Sequence, residues 1–313
     1  MSKQITPEMV APELRPGLAK LPNAPLHSAL FRRLSSFLMR LGPKPDLTGV
    51  TLEVRKSDPA VRIYRPDTRR GDGALLWIHG GGYIVGIASM NDDFCAQIAR
   101  DLGIVVVSVE YRLAPRHPFP SALDDCHAAW RWMVDQAQTL GIDPRRIAIG
   151  GASAGGGLAA GLTLRICDEP GIDPAAQWLL APMIDDRTAA REELDGLGHP
   201  LWHNGLNRLG WSKYLGVAPG SEGVSVYAAP SRREDLSGLP PAWIGVGSIE
   251  LFLDEDIDYA RRLDAAGVPT TLEVAEGAPH GFEAWGKDTA ITRRHIALAT
   301  QWLGEHIGER VAA

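Results

Sequence analysis

The chain is poor in cysteine. Its 313 residues include three, Cys95, Cys126 and Cys167, with no C-x-x-C pair and no Cys/His ligand spacing. That excludes a disulfide framework and a structural zinc site, and the three read as small buried hydrophobes. Long apolar runs are missing as well, since none approaches the roughly 18 residues a membrane span requires. Residues 1–16 carry charges and prolines but no apolar stretch, so no secretory signal is expected and a cytoplasmic location is. Positive charge is not in excess: 32 Lys and Arg stand against 38 Asp and Glu, a net charge of −6. Phosphate binding needs clustered cations, so nucleic acid is not an expected partner, and neither is a membrane. The basic pairs Arg32-Arg33 and Arg69-Arg70 read as solvated faces or turn residues. No internal repeat or low-complexity tract interrupts the chain.

What is present suits one large α/β unit with an elaboration, or two small domains, because a chain this long buries roughly three quarters of its unfolded surface. The segments 51–56 and 61–65 alternate like strands around the turn Ser57-Asp58-Pro59. Apolar strands are then expected at 74–78, 104–109, 147–149, 177–180, 242–246 and 270–274. Between them lie helical patterns at 92–102, 121–138, 157–167 and 255–266, with a last helix around 291–307. Fully apolar strands alternating with amphipathic helices imply a mostly parallel sheet covered on both faces.

Two segments break that rhythm. Residues 1–47 contain a helical stretch, 29–41, with Phe31, Leu34, Phe37, Leu38 and Leu41 on one face. Residues 187–225 contain a second, with Trp202, Leu206, Leu209, Trp211 and Tyr214. Neither could bury its apolar face alone, so both are expected together as a helical cap over one end of the sheet. The core is then 48–186 and 226–313.

Gly151-Ala152-Ser153-Ala154-Gly155 fits G-x-S-x-G between an expected strand and an expected helix. A serine on that sharp turn projects its hydroxyl into a cleft, and the small flanking residues let strand and helix close. The helix N-terminus supplies free N–H groups where negative charge develops. His79-Gly80-Gly81-Gly82 ends the strand 74–78, and its glycines can turn N–H groups toward one point. The N–H groups of Gly81, Gly82 and Ala154 are the expected oxyanion hole, each donor being worth on the order of 3 kcal/mol in the barrier. The run does not spell G-x-G-x-x-G before a helix, which removes a dinucleotide site. His79 reads as a brace for that loop.

His280, between Pro279 and Gly281, follows the last expected strand, where the chain order Ser, acid, His places a general base. The acid is less determined. Glu250 lies just past the strand 242–246, and Asp254 sits where a helix starts and is explained as its N-cap. Asp185 and Asp186 follow an earlier strand. Glu250 is preferred because a carboxylate there can meet the second imidazole nitrogen.

These pieces, with Tyr83, Glu110-Tyr111-Arg112-Leu113-Ala114-Pro115, Phe119-Pro120 and Gly156, resemble the hormone-sensitive-lipase-type bacterial carboxylesterases. The likeness runs in order through roughly residues 48–313. It implies an α/β-hydrolase fold with an N-terminal cap and a Ser–acid–His triad. Three positions depart from the pattern. Glu250 stands where relatives carry Asp, Ala152 where they carry an acid or Thr, and Arg116 where an acid follows the Tyr-Arg-Leu-Ala-Pro run.

The expected chemistry is ester hydrolysis through an acyl-enzyme on Ser153, with no metal and no cofactor. Tyr83, Trp202, Trp211, Tyr214, Phe31 and Phe37 are the candidate lining of a pocket for short to medium acyl chains. An amidase or deacetylase with the same triad is the rival within hydrolases, and a non-catalytic small-molecule receptor the rival outside them. The edge strand near 270–274 could pair with a second copy.

Overall fold

A computed structural model describes residues 4–21, 24–42 and 44–308. Residues 1–3, 22–23, 43 and 309–313, at the ends and within the expected cap and core segments, lie outside that description. One eight-stranded sheet organises the chain in the order β1-β2-β4-β3-β5-β6-β7-β8. Its strands are β1 (Val50–Arg55), β2 (Val61–Pro66), β3 (Ala74–Ile78), β4 (Val105–Val109), β5 (Ile147–Ala152), β6 (Ala176–Leu180), β7 (Ala242–Gly247) and β8 (Thr270–Ala275). The β1/β2 hairpin and the β2/β4 pair are antiparallel, and every other pairing is parallel.

Every residue of β3, β4, β6 and β7 is buried, which is why those runs are apolar without alternation. Their side chains still alternate between two faces. Leu76 and Ile78 join the cluster beneath Leu123, Trp130 and Leu158, whereas Leu75 and Trp77 join Trp178, Ile98 and Leu303 on the other side. The principal helices are α1 (Ala29–Met39), α2 (Asp92–Leu102), α3 (Ser121–Asp135), α4 (Ala154–Asp168), α5 (Asn204–Leu215), α6 (Leu253–Ala265) and α7 (Ala290–Ile307). The expected helix 121–138 is divided. Gln136 ends α3, and a separate turn, Ala137–Leu140, follows. Cys95 and Cys126 are buried as expected, but Cys167 is only half-buried.

Parallel pairing sets the site. Ile78 at the end of β3 lies opposite Gly151 of β5, and Gly247 of β7 lies opposite Ala275 of β8. The loops after these strands therefore leave from the same edge of the sheet, where α/β proteins place their ligands.

The two helical segments outside the alternation pack differently. In α5, Leu206, Trp211 and Tyr214 are buried in the main core cluster. In α1, Leu34, Phe37, Leu38 and the following Leu41 are exposed, Phe31 is half-buried, and Ser35 is fully covered. The expectation that this apolar face would be buried is thus corrected. Helical spacing groups side chains on one face, and nothing in it says toward which side the face turns.

Candidate active site

The turn after β5 carries Ser153 at φ 56° and ψ −122°, a conformation a non-glycine residue adopts only when its surroundings enforce it. Here the enforcement is visible. The Ser153 N–H donates to Leu180 O at 2.8 Å, and Ser153 O accepts from Met183 N at 2.9 Å. Helix α4 starts at Ala154, and a methyl group on Gly155 would stand 2.1 Å from Ile78 O. Only glycine lets the helix approach β3 so closely.

The neighbouring loop after β3 leaves the N–H groups of Gly81 and Gly82 without a hydrogen-bond acceptor among the described residues. The Ala154 N–H begins a helix and has no intrahelical partner either. His79 is fully buried beneath this loop. Its ring stacks on Tyr111 at 4.2 Å, and its Nδ1 lies 2.8 Å from Gly80 O. Burial lowers its pKa to about 4, so it is a neutral brace at physiological pH.

His280 follows β8. Its Nε2 lies 3.0 Å from Ser153 Oγ and its Nδ1 lies 2.8 Å from Glu250 Oε2. Glu250 is held by the turn after β7, with its other oxygen accepting from Phe252 N at 3.4 Å. All three side chains are almost completely buried. Burial disfavours the protonated imidazole, yet the Glu250 carboxylate beside it, with Glu283 behind, more than compensates and raises the His280 pKa. An imidazole held between a carboxylate and a hydroxyl can take the hydroxyl proton and be stabilised once charged.

The competing acids lie elsewhere. Asp254 is not the N-cap expected of it, because α6 begins two residues earlier, at Leu253 after Phe252. Its exposed side chain lies 3.6 Å from Arg191 and its charge suits the positive end of the helix. Asp185 caps the short helix Asp186–Ala190 and pairs with Arg187, and Asp186 pairs with Arg232.

A family model described as alpha/beta hydrolase fold matches residues 75–284. The chain belongs to this family, in its hormone-sensitive-lipase-type branch. It is 32% identical over 285 residues to an ethyl acetate hydrolase of Pseudomonas putida, covering 88% of either chain. The solved structure of a bacterial heroin esterase superposes with a TM-score of 0.87 at 38% identity, covering 97% of this chain and 99% of that one. That of the esterase LipW from Mycobacterium marinum gives 0.84 at 31%, covering 97% and 98%.

The aromatic candidates divide into three groups. Trp202 packs onto the loop of Gly82, where an added methyl would stand 2.1 Å from its indole, and its ring centroid lies 6.1 Å from that of His280. Tyr83, Trp211 and Tyr214 instead form a buried stack behind the loop. Tyr83 lies 4.0 Å from Tyr214 and 5.3 Å from Trp211, and its hydroxyl donates to Met183 O. Phe31 is half-buried and Phe37 faces solvent, so Phe37 is not brought to the site.

Two supports went unseen in the sequence. Glu255 is buried and accepts from Ile184 N at 2.9 Å and Asp185 N at 3.1 Å. It thereby ties α6 to the loop whose Met183 holds both Ser153 and Tyr83. In the sequence Glu255 reads only as the start of the helical pattern 255–266. The other support is the N-terminal strap. Val10 and Leu14 are buried against Ile249, Ala278 and Phe282, and Ala11 N donates to Gly277 O at 2.8 Å. This braces the Glu250 and His280 loops together. Alternating prolines and charges in residues 4–16 gave no periodic signal for it.

Proposed function

We propose that the protein hydrolyses carboxylic esters of short to medium acyl chain through a Ser153–His280–Glu250 triad. One observation carries the reading: a single buried imidazole spans a hydroxyl at 3.0 Å and a carboxylate at 2.8 Å. His280 takes the Ser153 proton as the oxygen attacks the ester carbonyl. The tetrahedral oxyanion is received by the N–H groups of Gly81, Gly82 and Ala154. His280 then protonates the departing alcohol, and water, activated by the same imidazole, releases the acid. Glu250 holds the ring tautomer that presents Nε2 to Ser153 and stabilises the imidazolium.

The ester class is supported by the relatives, among them an ethyl acetate hydrolase and a heroin esterase. Both names describe enzymes that act on esters. Trp202, set between the Gly82 loop and His280, closes one side of the cleft and limits the length of chain it takes. We further assign residues 187–225, with the N-terminal strap through Val10 and Leu14, to a cap over this edge of the sheet, and the exposed β8 edge to pairing with a second copy.

The test is an acyl-chain series of p-nitrophenyl esters on wild type, Glu250→Ala and Asp254→Ala. Turnover is expected to peak at short to medium chains and to fall by about 10⁴-fold in Glu250→Ala, with Asp254→Ala near wild type. Loss of turnover in Asp254→Ala with Glu250→Ala intact would overturn the acid assignment.

A further inference from the structure

Helix α1 is amphipathic, and its apolar side is the one turned to water. Leu30, Leu34, Phe37, Leu38 and Leu41 recur at helical spacing and are 47–67% exposed. A contiguous stripe of five large apolar side chains is unusual on a surface that meets only solvent. The polar side of the same helix looks onto a cavity of about 720 Å³ whose lining includes Arg32, Arg33, Arg40 and Arg116. Arg32 is engaged, donating to Leu26 O and His27 O. The guanidinium groups of Arg33, Arg40 and Arg116 have no hydrogen-bond or ion-pair partner among the described residues. Glu110 is the one acid among the described residues lining that cavity, and one of its oxygens accepts from Ala88 N at 2.9 Å.

The charge pattern identifies what fits here. Residues 28–44 hold Arg32, Arg33, Arg40 and Lys44 and no acid, in a chain whose net charge is −6. Arg33 and Arg40, seven residues apart, run along one margin of the apolar stripe. Arg116 adds a further cation across the cavity. A second copy of this chain is a poor occupant, because a two-fold contact through α1 would bring the same cations face to face. An anionic surface with an apolar layer beneath it meets both halves of the pattern.

We propose that α1 docks the protein on anionic lipid. The leucine and phenylalanine stripe enters the acyl boundary, and Arg33, Arg40, Lys44 and Arg116 hold the headgroup phosphates. Eleven helical residues extend about 16 Å, enough to lie in the interface, and no helix among the described residues is long and apolar enough to cross a membrane. Docking in this way would carry the chain to esters that partition into lipid. The inference does not depend on the triad, since binding is read without turnover.

The experiment is flotation of the full chain with vesicles of phosphatidylcholine alone and of phosphatidylcholine with an equal part of phosphatidylglycerol. Wild type is expected to float with the anionic vesicles and not with the neutral ones. Leu34→Gln/Leu38→Gln and Arg33→Gln/Arg40→Gln are each expected to cut the partition by about tenfold or more. All four positions are exposed, and turnover of a soluble short-chain ester should be unchanged in both variants. Absence of flotation with anionic vesicles, or flotation that both variants retain, would overturn the proposal. So would light scattering that shows a dimer split by Leu34→Gln/Leu38→Gln together with no flotation.

Discussion

The two helical pieces outside the alternating core, α1 and α5, look alike in sequence and behave as opposites in the fold. Both show apolar residues at a 3.6-residue period. Helix α5 spends its apolar residues inward: Trp211 and Tyr214 are buried against Tyr83, and Tyr214 O accepts from Phe119 N at 2.7 Å. The segment leading into it seats Trp202 on Gly82. Helix α1 turns its leucines outward and keeps arginines over a cavity. One piece therefore packs on the edge that carries Ser153 and His280, and the other keeps an open face. Period alone separates amphipathic from uniform segments, while burial depends on partners far along the chain.

The comparison can be broken at its strong side first. Trp211→Ala should lower stability by about 3–5 kcal/mol, the usual cost of truncating a fully buried aromatic, read by chemical denaturation. A loss under 1 kcal/mol would mean that α5 is no better anchored than α1.

A second variant sharpens the link between α5 and the chemistry. Gly82 has φ +59°, and a methyl there would stand 2.1 Å from the Trp202 indole. Gly82→Ala should therefore displace a donor of the proposed oxyanion hole and reduce kcat/KM by about a hundredfold or more. Combining it with Trp202→Ala should recover part of that loss, leaving only the backbone strain. No recovery would show that the indole does not press on the loop.

The weak side predicts almost nothing. Leu34→Gln, at a half-exposed position, should change stability by less than about 0.5 kcal/mol. A larger effect in the isolated protein would mean that α1 buries its stripe in solution.

Much of the fold was legible because the buried strands are short apolar runs. Ala74–Ile78 and Asp92–Leu102 were bounded correctly from pattern alone, and the β5–α4 turn was recognisable from Gly151 to Gly155. The site was legible for a related reason. Ser153, the Gly81-Gly82 loop and His280 occupy turns whose glycines and proline are demanded by backbone geometry, so the residue types announce the shape. Glu250 was legible only as a preference, since Asp254 is equally acidic and four residues away. The strap through Val10 and Leu14, the tie made by Glu255 and the outward face of α1 were not readable. Each depends on contacts between segments distant in sequence, and none leaves a local pattern.

The central claim is that Ser153 is made nucleophilic by an imidazole whose charge state Glu250 controls. Its most direct test is the pH dependence of fluorophosphonate labelling, with the modified residue located by mass spectrometry in wild type and Glu250→Gln. The sign follows from the raised His280 pKa: only the neutral ring accepts a proton, so labelling should fall as pH drops through that pKa. Removing the carboxylate leaves burial to dominate, so Glu250→Gln should label Ser153 far more slowly, with its acid limb moved to lower pH. An adduct on another residue, or a limb that does not move when Glu250 is replaced, would contradict the account.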